Sequence, residues 1–288
     1  MRFEEYFEPQ TAEECIELKH KYGENALFLA GGTDIVPKIN SGNLRPKALI
    51  SLHRIQGMNN IFVEDDGLYI GALTTLRNIS MSDSLVGEYS VIREAAGHVS
   101  SMQIRNIATI GGNVCNASPS ADAVQGLMVL DAVCHLRSPG GKSEKPLCEF
   151  FTGPGKTILN KDELLSGFFI PKPKARTGSA YIKFSIRGDT DISIVGAAAA
   201  ISLDNSGIAE EVRISLASVA PTPLRVNEAE AFLTGKKMSA EAIEKSALIA
   251  ERACSPIDDQ RATASYRREM VKVNIRIALE EAWRRIIE

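Results

Sequence analysis

Twice in this sequence an apolar run ends in a pair of glycines: Ala30-Gly31-Gly32-Thr33-Asp34 closes the stretch 27–30, and Thr109-Ile110-Gly111-Gly112-Asn113 repeats the pattern later. Glycine tolerates positive φ and lets backbone N–H groups approach an anion closely, so each pair reads either as a tight turn or as a phosphate cradle. A helix predicted over 34–39 places Thr33 and Asp34 at its start, where amides without helical partners favour a pyrophosphate. A fold that carries both pairs must bring strand, glycine turn and short helix together in that order.

Around these pairs the elements alternate irregularly. Thr11 and Glu14 form a capping box opening a helix that Gly23 stops. Strands are predicted over 27–30, 48–52, 61–64 and 68–72, the last two as a hairpin across Asp65, Asp66 and Gly67. Helices follow over 76–81, 86–99 and 121–130, with the second glycine turn between the last two. A hairpin over 133–137 and 143–147 and a strand over 164–170 complete this half. This irregular order indicates an α+β fold rather than a βαβ repeat. Pro171, Pro173 and Gly178, interleaved with Lys172, Lys174 and Arg176, make the most linker-like stretch and divide the chain into domains 1–175 and 176–288. Beyond it, strands over 180–186, 192–203 and 212–219 read as an antiparallel meander backed by helices over 227–233, 240–253 and 265–287.

Several function classes find no support. The 33 basic and 36 acidic residues leave a net charge of −3, with no electrostatic footprint for nucleic acid. The acidic start, Met-Arg-Phe-Glu-Glu, lacks the features of a signal peptide, and the longest apolar run, 192–203, is too short to span a bilayer. A soluble, cytoplasmic protein is expected. Cys15, Cys115, Cys134, Cys148 and Cys254 are scattered without a C-x-x-C pair, and His20, His53, His98 and His135 lack ligand spacing, so no metal site or iron–sulfur cluster is expected in this chain. There is no G-x-G-x-x-G and no G-x-S-x-G. Gly153-Pro154-Gly155-Lys156-Thr157 resembles the end of a P-loop but has Phe150 where that motif needs glycine, and reads as an ordinary surface loop.

Two charged residues stand out. Asp122, at the start of a predicted helix, either caps its backbone or accepts from a ribose hydroxyl. Lys183 lies mid-strand and by alternation shares a face with Tyr181 and Ser185; a solvated lysine is its default reading.

With these residues in view, the chain resembles the FAD-binding medium subunit, or central domain, of the xanthine dehydrogenase and carbon monoxide dehydrogenase class. The resemblance rests on Ala-Gly-Gly-Thr-Asp at 30–34, Ile-Gly-Ala-Leu-Thr-Thr at 70–75 and Gln103-Ile104-Arg105-Asn106 leading into Thr-Ile-Gly-Gly-Asn at 109–113. Ala117-Ser118-Pro119-Ser120-Ala121-Asp122, Leu130-Asp131-Ala132, Phe150-Phe151-Thr152-Gly153-Pro154 and Val219-Ala220-Pro221-Thr222-Pro223 continue it in order. It implies a two-subdomain FAD-binding fold of the vanillyl-alcohol-oxidase-like (PCMH) type, followed by a small C-terminal domain of antiparallel sheet and helices.

The residues that the resemblance assigns to FAD are Leu29, Ala30, Gly31, Gly32, Thr33 and Asp34, then Thr109, Ile110, Gly111, Gly112 and Asn113, with Asp122, Leu165 and Lys183. It further implies a relay. A molybdenum cofactor in a large partner subunit oxidises substrate, [2Fe–2S] clusters in a small subunit carry the electrons, and FAD passes them to NAD, a ferredoxin or a quinone. The alternatives are a stand-alone FAD-dependent oxidoreductase and an FAD-binding accessory module without turnover. Relatives often place an aromatic residue after the lysine strand, whereas Asp189-Thr190-Asp191-Ile192 supplies none.

Overall fold

The computed structural model describes residues 3–188 and 190–287. The chain opens with β1 (Glu5–Phe7), α1 (Ala12–Tyr22), β2 (Ala26–Leu29), α2 (Ile35–Asn40) and β3 (Ala48–Ser51). Thr11 Oγ1 accepts from the Glu14 amide at 3.2 Å, and the Glu14 carboxylate accepts from the Gln10 amide at 2.8 Å, so the capping box closes one residue early. The three strands form a parallel sheet in the order β1-β3-β2.

Next come β4 (Ile61–Val63), β5 (Gly67–Gly71), α3 (Leu76–Met81), α4 (Ser90–Gly97), α5 (Met102–Arg105), α6 (Ile110–Cys115) and α7 (Asp122–Met128). They are followed by β6 (Val133–Ser138), β7 (Gly141–Pro146), β8 (Phe151–Gly153), β9 (Lys156–Thr157) and β10 (Leu164–Pro171). Both predicted hairpins form, and β10 joins them into a five-stranded antiparallel sheet, β4-β5-β10-β6-β7. The helix expected over 86–99 is shorter, because Gly87 turns with φ of 61° and Gly87–Tyr89 forms a separate 3₁₀ turn. The helix expected over 121–130 stops at Met128, and Asp131 leaves it in left-handed conformation, φ 52°. The second glycine pair is not a free turn but the first turn of α6, capped by Thr109.

Leu68, Ile70, Leu76, Ile79, Ile92, Leu127, Phe150 and Phe168 are fully buried in the core between this sheet and the helices. Phe168 sits on the central strand, so Phe168→Ala should lower the unfolding free energy by about 3–5 kcal/mol, read by urea denaturation.

The remaining chain comprises β11 (Thr177–Phe184), β12 (Val195–Leu203), β13 (Ala209–Ala217), β14 (Leu224–Arg225), α8 (Asn227–Leu233), α9 (Ala240–Ala253) and α10 (Ala264–Ile287). The strands form an antiparallel meander in sequence order. Gly178 lets α10 lie directly on β11: a Cβ there would be 2.0 Å from the Ala282 carbonyl oxygen. On β12, Ala197, Ala199 and Ile201 pack with the helices of this domain, while Ala198 and Ala200, with Tyr181 of β11, join the core of the preceding domain. The meander is thus covered on both faces, which is why β12 runs apolar from Val195 to Ile201 without alternation.

A polar link reinforces the junction. Arg285 on α10 donates to Glu94 Oε1 on α4 and to the Ser179 carbonyl, each at 2.6 Å. Glu281 holds that arginine in turn. Its hydrogen bond from Arg284, supported by Arg285, keeps its carboxyl at about 2, well below the ordinary 4.5. A depressed folded pKa stabilises above the unfolded value, so this contribution is complete above pH 4.5 and is lost as pH falls through about 2. Glu281→Gln should therefore lower the melting temperature at neutral pH, with the difference from wild type closing as the pH is taken from 4.5 towards 2.

Candidate functional site

A cavity of about 680 Å³ opens where the β2–α2 turn, the segment 99–122, the loop before β10 and the segment 190–192 converge. Gly31 is the reason the first two can meet. A Cβ on it would lie 2.0 Å from the Ile107 carbonyl oxygen, so the two backbones touch without an intervening side chain. Gly32, φ 73°, then turns the chain into α2. Gly111 packs its backbone on Ala72, where a Cβ would come within 2.6 Å, and Gly112 places its amide 3.1 Å from Thr109 Oγ1. Of these four glycines only Gly32 uses positive φ; the others matter for close approach.

The two pairs also differ in what their amides offer. Ile110 donates to Thr74 O at 3.0 Å, Gly111 to Ala72 O at 2.8 Å and Asn113 to Thr109 O at 2.9 Å, so with Gly112 this turn is satisfied within the protein. Among the described residues, no protein acceptor takes the amides of Gly31, Gly32, Thr33 or Asp34, which line the cavity. The first pair therefore leaves its amides open beside the cavity, an arrangement of the kind that receives an anion. The second contributes Asn113, whose buried Oδ1 has no partner although the residue lines the cavity. A buried acceptor in that state awaits a donor.

Asp122 does not cap α7; its carboxylate is the centre of a buried network. Oδ1 accepts from Tyr181 Oη at 2.5 Å and from Ser193 Oγ, and Oδ2 accepts from Lys183 Nζ at 2.9 Å. Three of the roughly four acceptor positions of a carboxylate are thus taken, leaving capacity toward the cavity that Asp122 lines. The solvated reading of Lys183 is overturned: its side chain is 2% exposed and also donates to the His98 carbonyl at 2.8 Å. Alternation placed it correctly on one face with Tyr181, but β11 turns that face inward.

Of the residues singled out from sequence, Ala30, Gly31, Gly32, Thr33, Asp34, Thr109, Gly111, Gly112, Asn113, Asp122 and Leu165 line the cavity. Leu29, Ile110 and Lys183 do not. Leu29 supports Gly32 from beneath, Ile110 is fully buried, and Lys183 stands behind Asp122.

The wall also holds residues that sequence reading passed over, among them Lys38, Cys115, Asn116 and Glu163. Lys38 follows Asp34 by four positions, one helical turn, the one signal that pointed to it. Cys115 stands on this wall as an exposed free cysteine.

The stretch 153–157 is a surface turn, as expected, closing the short β8–β9 hairpin with Pro154, Gly155 and Lys156 exposed. Its Gly155 donates to the Ala117 carbonyl at 2.9 Å and closes one side of the cavity. Of the segment 189–192, Asp189 lies outside the described residues. Thr190, Asp191 and Ile192 form part of the wall, and a hydrogen bond from Arg187 holds the Asp191 carboxyl below its ordinary range. Among the described residues no group of three His, Cys, Asp or Glu gathers as a metal site.

Comparison with known proteins agrees with this architecture. Residues 1–173 match the family described as the FAD binding domain in molybdopterin dehydrogenase, and residues 179–282 match the CO dehydrogenase flavoprotein C-terminal domain. The xanthine dehydrogenase FAD-binding subunit of Escherichia coli O157:H7 is 32% identical over 97% of this chain and 96% of its own. The carbon monoxide dehydrogenase medium chain of Hydrogenophaga pseudoflava is 30% identical over 98% and 97%. A solved carbon monoxide dehydrogenase from Hydrogenophaga pseudoflava, lacking the Mo-pyranopterin moiety of its cofactor, superposes with a TM-score of 0.95 at 32% identity, covering 99% of this chain and 98% of that one. Fold, cleft and these similarities together show that the chain belongs to the family of FAD-binding subunits of the molybdenum hydroxylases.

Proposed function

We propose that the chain carries FAD in this cleft and passes electrons from the iron–sulfur clusters of a small partner subunit to a final acceptor, in a complex whose large subunit holds the molybdenum cofactor. The observation that carries the reading is the pairing of an amide-lined anion seat at 31–34 with a cavity of about 680 Å³, the latter within the range of about 300–1,000 Å³ usual for cofactor sites. The residues fit the group. The open amides suit a diphosphate, the unpartnered Asn113 Oδ1 accepts a donor, and the remaining capacity of Asp122 suits a hydroxyl.

In this reading residues 1–175 form the FAD-binding domain and 176–288 the C-terminal domain. Leu29 to Asp34 and Thr109 to Asn113 enclose the diphosphate, Asp122 faces the cofactor with Lys183 as its counter-ion, and Leu165 packs against it. When bound, FAD supplies the redox chemistry, and the protein orients it and sets its electrostatic surroundings. The C-terminal domain contributes Tyr181, Lys183 and Ser193 to Asp122, so it closes the cleft as well as extending the fold. We take NAD as the acceptor and the cytoplasm as the setting; no helix among the described residues is long and apolar enough to cross a membrane.

The test is anaerobic mixing of the flavin-loaded chain with its iron–sulfur and molybdenum partner subunits and the substrate of the complex. Bleaching of the flavin that requires both partners, with reoxidation by NAD, is expected. Bleaching by a substrate in the absence of partners would place the chain among stand-alone flavin oxidoreductases instead.

A further inference from the structure

Resting on the FAD reading above, we propose that Lys38 supplies the positive charge that balances the diphosphate of the cofactor. Among the described residues lining the cavity, Asp34, Asp122, Glu163 and Asp191 are acidic and Lys38 alone is basic. Asp122 is matched by Lys183, and Asp191 by Arg187 at 2.7 Å, so neither of those cations is the counter-ion of an incoming anion. A diphosphate adds further negative charge to this wall. The amides that receive it come from 31–34 only, since those of 110–113 are satisfied within the protein.

Lys38 occupies the seam between the two glycine segments. Its Nζ donates to Asn116 Oδ1 at 3.3 Å, and Asn116 Nδ2 donates to Asp34 Oδ1 at 3.1 Å. The chain Lys38–Asn116–Asp34 therefore spans α2 and α6, the helices that follow or contain the two glycine pairs. An ammonium has three donors, and Asn116 engages one of them at the long end of hydrogen-bond distance. Turning the remaining donors to a phosphate oxygen breaks no buried contact, because Lys38 is exposed.

The charge role has a signature that a packing role lacks, namely relief by salt. Apoprotein titrated with FAD, followed by flavin fluorescence at low and high ionic strength, should show Lys38→Met binding about tenfold more weakly than wild type at low salt, as befits the loss of a charge-assisted hydrogen bond. The deficit should shrink to about twofold near 0.5 M salt, where the screening length is about 4 Å, and Lys38→Arg should stay close to wild type throughout. Equal affinity of Lys38→Met and wild type at low salt would overturn the assignment, as would a deficit of the same size at every salt concentration. Failure of the wild-type chain to take up FAD at all would instead overturn the FAD reading, and this inference with it.

Discussion

Asp122→Ala should lower the unfolding free energy by roughly 3 kcal/mol, because it removes the carboxylate 2.9 Å from the buried Lys183 ammonium. The same change takes the acceptor from Tyr181 Oη and Ser193 Oγ, which reach it from the C-terminal domain. Loss of stability and loss of flavin should appear together. The two effects separate in the double variant Asp122→Leu, Lys183→Met, which removes both charges. Replacing a buried pair by apolar groups is often near neutral, so stability should recover most of the deficit, while FAD retention should not recover. Urea denaturation and the flavin-to-protein absorbance ratio of the three proteins provide the readout. A double variant no more stable than the single one would show that the network is held by something other than the ion pair.

Gly31→Ala should be the most damaging of the glycine substitutions for cofactor binding. The added Cβ meets the Ile107 carbonyl at 2.0 Å, a clash with backbone that no rotamer relieves. Forcing the segments apart should cost about 1–3 kcal/mol of stability as an overpacking change. It also displaces the open amides of 31–34, so FAD affinity should fall by more than the roughly tenfold that 1.4 kcal/mol represents. Gly155→Ala is the useful comparison. It strains a left-handed backbone, φ 68°, but meets no atom within 4 Å, and should leave the two glycine segments in contact. Equal FAD affinity of Gly31→Ala and wild type would refute the view that contact between 31 and 107 shapes the cleft.

How much of this was legible in the sequence depends on whether the signal was local. The helices at 76–81 and 240–253 were readable because caps and apolar periodicity agree there: Thr75 and Ser239 both cap with their side chains. The helix at 110–115 was not, since Ile-Gly-Gly-Asn is a poor helix former. It exists because Thr109 caps it and because Thr74 and Ala72 accept its first amides, contacts set by tertiary structure. The glycine pairs line the cavity, but three of the four serve close packing rather than turning. Lys183 shows the same limit: alternation fixed its neighbours on the strand, but only the second packed face of the meander explains its burial. Lys38 and Asn116 are 78 positions apart, and nothing local joins them.

The most direct test of the account is the flavin content of the purified chain after saturation with FAD and removal of excess, measured alongside Asp122→Ala. The account predicts stoichiometric FAD in the wild-type protein and little or none in the variant. A correctly folded wild-type chain that takes up no FAD, or an Asp122→Ala protein that retains it fully, would contradict the placement of the cofactor in this cleft.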